Sequence, residues 1–228
     1  MEPSIFGTMS FDWAFMSSFF SIIIINLILS GDNAVVIAMA VRVLPKRQRT
    51  KGIIYGSAGA VLLRIVFTFF VAQLLVMSYV KLAGGAVITW IAIKLFIEDE
   101  GVVEGHKPTT TLWHAVRIIL IADVTMSLDN VLAVGAASHG NLFLLLFGLG
   151  LSIPLVIFAS SLLSLLIDRY PIIIYIGAAI LGKIGGEMII TDKVVERILQ
   201  PSETCVYAVE ALCAVGVIII GRLLLKRK

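Results

Sequence analysis

Seven apolar runs, each roughly 16 to 28 residues long, fill most of this 228-residue sequence. A helix crosses the hydrocarbon core of a bilayer in about 20 residues. Inside lipid, a helix also satisfies its own backbone hydrogen bonds. The chain therefore reads as all-α, a polytopic membrane protein of seven transmembrane helices. The predicted spans are 13–41, 53–77, 82–97, 112–137, 142–167, 172–190 and 205–225. Charged residues make up 14% of the chain, against about 25% in soluble domains, which excludes a soluble globular enzyme.

Charge then orients the bundle. The segment "RVLPKRQRTK" carries Arg42, Lys46, Arg47, Arg49 and Lys51, and the C-terminal tail carries Arg222, Lys226, Arg227 and Lys228. Lys107, Arg117 and Arg169 fall on the same side, whereas Lys81, Lys193 and Arg197 fall on the other. The positive-inside rule puts the N-terminus outside and the C-terminus in the cytoplasm of a cell membrane, as an odd number of spans requires. The net charge of +3 is thus a topology signal, and no nucleic-acid partner is expected. The first Lys or Arg is Arg42, so the basic start of a signal peptide is missing and the first run is expected to stay as a span. Cys205 and Cys213 are eight apart on one predicted helix, too far to bridge each other, and read as packing residues.

One hydrophilic connector, "EDEGVVEGHKPTTT", divides two halves: a repeat over 13–99, a cytoplasmic linker over 100–111 and a second repeat over 112–192. Its acids, Glu98, Asp99, Glu100 and Glu104, with His106, read as a solvated linker, and His114 and His139 as interfacial residues. "NLILSGDNAVVIA" (26–38) lies without gaps on "DVTMSLDNVLAVG" (123–135), and "GGAVITWIAIKLFIED" (84–99) on "GAAILGKIGGEMIITD" (177–192). Three spans per half insert the second half upside down. Such inverted repeats mark secondary transporters, whose binding sites lie near the midplane between the repeats.

Each half buries a Ser-x-Asp-Asn motif. A charged residue deep in a membrane helix costs at least ~2.5–3.5 kcal/mol, so two in symmetric positions predict a site. Asp123, Ser127 and Asn130 share one helix face, and Asn26, Ser30 and Asn33 repeat it. Asp32 and Asp129 fall off that face, and Gly31 is expected to permit a local break that turns Asp32 inward. The metal-ligand set is therefore Asp32, Asn33, Asp129, Asn130, Asp123 and Asn26, supported by Ser30, Ser127 and Gly31. All-oxygen ligands suit a hard dication, Mg²⁺, Ca²⁺ or Mn²⁺. Carboxylates that must lose protons to bind it give metal/proton exchange a physical basis. Arg64, Lys94, Lys183 and Glu187 also lie in or near spans, where structural pairing or snorkelling accounts for them. Lys94 aligns with Glu187, which suggests an interhelical ion pair or gate.

The paired S-G-D-N and S-L-D-N motifs in an inverted 3+3+1 arrangement resemble the TerC family of integral membrane proteins. "IIIINLILSGDNAVVIAMAVRVLPKRQR" is similar to its YjbE-like branch, within the lysine-exporter superfamily. The resemblance implies manganese export, with Mn²⁺ as transported ion rather than cofactor, and with Asp32, Asn33, Asp129 and Asn130 as central ligands. Many relatives hold an acid six residues before the first motif aspartate, where this chain has Asn26. The partners expected are the lipid bilayer and a divalent cation. Other readings are an exporter of Ca²⁺, an organic cation or an amino acid, and, from another class, an intramembrane aspartyl protease, although the chain is not expected to be an enzyme.

Overall fold

With no water to compete for their peptide groups, the apolar runs close into helices, and polar residues mark where the helices stop. A computed structural model describes the backbone of residues 13–76, 79–103, 111–138 and 141–226. Within these it describes all side chains except those of 14, 68–76, 101–103, 128, 129, 132, 135, 136 and 142. The elements are α1 (Trp13–Arg42), α2 (Lys46–Val76), α3 (Val80–Val103), α4 (Leu112–Ala137), α5 (Leu142–Arg169), α6 (Ile172–Ile190), α7 (Lys193–Leu199) and α8 (Glu203–Leu225). Six of them are long and apolar enough to cross a membrane, by length and composition over the described residues. The predicted fourth span, α4, is 26 residues long and sits in the same bundle.

Two expectations need correction, and one connector holds more structure than the spans alone suggest. The basic segment after α1 is helical from Lys46, seven residues before the predicted span. Lys and Arg are good helix formers, and Arg49 closes the join by donating to the Leu44 and Arg42 carbonyls at 3.3 and 2.8 Å, satisfying groups that a helix end leaves open. Helix α3 also runs on to Val103, so Glu98, Asp99 and Glu100 are not linker. Asp99 is fully buried, and Arg42 Nη1 donates to its side chain and its carbonyl at 3.2 Å. Glu104, His106, Lys107 and His139 lie outside the described residues. Finally, the connector between α6 and α8 contains α7, started by Asp192, whose carboxylate accepts from Val194 N, and stopped by left-handed Gln200 before Pro201.

The packing exchanges the two halves. Helix α1 packs on α5 as α4 packs on α2, and α1 touches α6 as α4 touches α3. Directions follow from the contacts. Val41 near the end of α1 and Leu112 at the start of α4 both lie against Gly52, and Ile22 and Val134 both lie against Gly148, so α1 and α4 are antiparallel. Helices α1 and α5 are parallel, with Phe19 stacked on Phe147 near one end and Arg42 beside Asp168 at the other. Helices α3 and α6 cross closely: a Cβ on Gly85 would meet the Gly185 carbonyl oxygen at 2.5 Å. Helix α8, outside the repeat, covers α6 and α3.

The core lies where α1 is surrounded. Every residue from Asn33 to Leu44 is buried, whereas the preceding stretch alternates between buried and exposed. At the end of this encased half, Arg42, Asp99, Asp168 and Arg49 tie four helix ends together, with Arg42 Nε 3.5 Å and Arg49 Nη1 2.5 Å from the Asp168 carboxylate. Outward-facing Leu27, Ile28, Phe158, Leu165 and Leu212 are all exposed, an apolar surface of the kind that lipid covers.

Candidate functional site

Asp32 sits one residue before the encased half of α1 begins. Its carboxylate faces a cavity of about 160 Å³ lined by Leu29, Met126, Asn130, Ile184, Glu187, Met188 and Thr191. Three elements build it. Helix α1 supplies Leu29 and Asp32 at i and i+3, α4 supplies Met126 and Asn130 at i and i+4, and α6 supplies a stripe from Ile184 to Thr191. Helical spacing puts each of these sets on one face. No break was needed to aim Asp32. Helix α1 is continuous through Gly31, which corrects the expectation of an unwound turn: the cavity lies on the Leu29–Asp32 face rather than on the face of Asn26, Ser30 and Asn33.

That second face is satisfied internally. Asn26 Nδ2 donates to Ile22 O at 2.9 Å, Ser30 Oγ to Asn26 O at 2.5 Å and Asn33 Nδ2 to Leu29 O at 2.7 Å. In the second half Ser127 Oγ does the same to Val124 O at 3.4 Å. These are the back-bonds by which small polar residues pass through apolar helices without a partner. Asn33 also borders a much smaller pocket with Asp123 and Met126, about 10 Å³ in volume, room for one water at most.

Asp123 is engaged. Arg64 of α2 grips it with Nε 3.2 Å from Oδ2 and with Nη2 on Oδ1, and both residues are 5% exposed. A fork of this kind neutralises the carboxylate and uses both of its oxygens. Asp123 therefore does not stand as a free metal ligand, contrary to expectation, and Arg64 is its counter-ion rather than a snorkelling residue. The other expected pair does not form. Lys94 Nζ lies 2.9 Å from His114 Nε2 and over the Trp90 ring, while Glu187 faces the cavity. The reason is geometric. A two-fold axis in the membrane plane carries equivalent residues to opposite depths, so alignment partners meet only on the axis.

The structure thus brings Asp32 and Asn130 together, leaves Asn26, Asn33, Ser30, Ser127 and Asp123 with other partners, and adds Glu187 and Thr191. Asp129 is on α4, its side chain outside those described. The signal for Glu187 was present in the sequence as the one carboxylate of the sixth span. Among the described residues, the side chains of Asp32, Asn130 and Glu187 make no hydrogen bond or ion pair, and Asn130 is only 9% exposed. Asp32 is half-buried and Glu187 exposed, so both carboxylates are accessible where they line the cavity. No three His, Cys, Asp or Glu side chains gather as a metal cluster among the described residues. What lines the cavity instead is Asp32, Glu187, Asn130, two methionines and Thr191, whose hydroxyl donates to Glu187 O at 2.7 Å.

A family model described as "Integral membrane protein TerC family" matches residues 11–228. YjbE, an uncharacterized membrane protein of Bacillus subtilis (strain 168), is 44% identical over 179 residues, 78% of this chain and 82% of its own. YceF of the same organism is 31% identical over 66% of this chain and 62% of its own. The UPF0053 inner membrane protein YgdQ of Escherichia coli (strain K12) is 26% identical over 73% of this chain and 77% of its own. No solved structure matches the chain.

Proposed function

The chain belongs to the TerC family of integral membrane proteins, and from that premise we propose a secondary transporter that exports divalent cations, Mn²⁺ first among them. The observation that carries this reading is the pair of carboxylates, Asp32 and Glu187, lining one cavity with Asn130 and Thr191. Two carboxylates balance the charge of a dication, and the neutral oxygens complete a partly hydrated shell. Met126 and Met188 favour a transition metal over Ca²⁺ or Mg²⁺, because thioethers are soft ligands. The choice of Mn²⁺ follows the family resemblance of the two motifs.

Orientation follows the basic residues, with the N-terminus outside and the C-terminus in the cytoplasm. The basic end is then cytoplasmic, and the Arg42–Asp99–Asp168–Arg49 cluster holds it shut in this state. Export requires that this end open to admit the ion to Asp32 and close again before release. Carboxylates that bind the metal deprotonated return protonated when protons compete, which makes proton exchange the coupling.

Purified protein in proteoliposomes, given a panel of metals with and without a pH gradient, tests the reading. Asp32→Asn and Glu187→Gln should each cut Mn²⁺ flux by roughly 10–100-fold, at least what loss of a mere supporting residue costs a metal site. Equal flux in the parent and Asp32→Asn would sink the site. Flux indifferent to the pH gradient would remove proton exchange and leave the cation site standing.

A further inference from the structure

Helix α8 lies outside the repeat, and most of its surface is exposed. Its buried residues are Glu210, Val217 and Gly221. Val217 and Gly221 are ordinary packing, against Gly182 and Phe96. Glu210 is different, because a carboxylate is a costly way to dock a membrane helix. Its partner is Lys183 of α6, Nζ to Oε2 3.4 Å. The two ends of this pair are unequal: the Lys183 side chain is 55% exposed and that of Glu210 8%. Glu210 is fixed, and Lys183, on its flexible four-carbon stem, is the end that can move.

Lys183 stands beside the cation site. It precedes Glu187, which lines the cavity, by four residues and therefore shares its side of α6. The Lys183 ammonium also acts through space on the Asp32 carboxylate. A lysine at i with a glutamate at i+4 is the weaker order for a pair within one helix, so Lys183 gains more from Glu210 than from Glu187.

We propose that Lys183 is a tethered cation that competes with the transported dication for Asp32 and Glu187, and that Glu210 of α8 holds it aside so that the metal can bind. This rests on the cation site proposed above. While Lys183 stays on Glu210, neither cavity carboxylate holds it in a contact ion pair, and both are open to a dication. When Lys183 leaves Glu210, its single charge occupies them and lowers the affinity for metal, which favours release. Helix α8 thereby acquires a function that the inverted repeat alone does not supply.

The test is Mn²⁺ binding by the purified full-length protein in detergent, for the parent, Glu210→Gln, and the double variant Lys183→Gln/Glu210→Gln. Freed Lys183 in Glu210→Gln should weaken binding by about five- to tenfold, the lower range of coupling between linked sites. The double variant, neutral at both positions and with no buried charge left unpaired, should bind at least as tightly as the parent. A pair that only fastens α8 predicts no such reversal. Binding that is equally weak in the single and double variants, or unchanged in both, overturns the tethered cation. Failure of the cation site itself looks different: the parent binds no Mn²⁺, or Asp32→Asn binds it as the parent does.

Discussion

Positions 26 and 123 are equivalent in the two halves, one an amide and the other a carboxylate. Asn26 closes on its own helix, donating to Ile22 O beside Gly148 of α5. Asp123 reaches across to Arg64 of α2. A neutral amide inside a bundle can be satisfied by one carbonyl, whereas an anion needs a cation, because the cost of burying it far exceeds one hydrogen bond. The difference teaches that an acid at this position comes with an arginine on the facing helix. In the cation site proposed above, the departure at Asn26 therefore removes no ligand, since its acidic counterpart is held by Arg64. The carboxylates on which the proposed cation site rests are Asp32 and Glu187.

Breaking the pair gives the largest effect. Asp123→Asn removes the carboxylate that Arg64 grips with two nitrogens and should cost about 3–5 kcal/mol, as breaking a buried pair does, read as a large drop in the unfolding temperature in detergent. Arg64→Gln/Asp123→Asn should regain part of it, because neither member of the pair is then left charged. A single variant that stays stable yet loses Mn²⁺ binding would return Asp123 to the ligand set. The converse change, Asn26→Asp, creates an anion where the chain holds a neutral amide bonded to Ile22 O. It should cost about 2.5 kcal/mol, the figure for an acid at the centre of a membrane helix, in the same unfolding measurement. No loss at all would mean that the first half holds a latent cation for this position.

The fold was legible because run length in a membrane chain translates directly into span length, and the motif pair revealed the inversion. Boundaries were harder. The basic residues after Arg42 look like a loop until Arg49 is seen capping the carbonyls of α1. The short α7 shows only its ends, Asp192 and Pro201, in a stretch with no sustained period. In the site, Asp32 was legible as an ion in an apolar run. Glu187 was not assigned to it, because only the approach of α6 to α1 and α4 brings it there. The pairing of Lys94 with Glu187 failed because alignment reports equivalence and not proximity. Arg64 could not be matched to Asp123 from one dimension, since any of several helices could have faced it.

A smaller effect tests the equivalent pair that does share the cavity, Leu29 and Met126. Met126→Leu makes the halves alike at this position and conserves volume, so stability should change by less than about 1.5 kcal/mol. Competition transport assays should nevertheless show a reduced preference for Mn²⁺ over Ca²⁺, since a thioether is lost and every oxygen ligand is kept. An unchanged preference here, and again in Met188→Leu, would make both methionines packing residues and leave selectivity to the oxygens.

The smallest effect lies at Gly31, equivalent to Leu128. Helix α1 runs through Gly31 without a break, the residue is exposed, and a Cβ there would meet nothing within 4 Å. With no clash to offset it, Gly31→Ala should add up to about 1 kcal/mol, the difference between glycine and alanine inside a helix, and raise the unfolding temperature slightly. If Asp32 works from an unbroken helix throughout the cycle, Mn²⁺ flux should stay at the parent level. A variant that is more stable but slower would place a hinge at Gly31 in another state. The second half, which carries Leu128 there, would then be the rigid partner of the two.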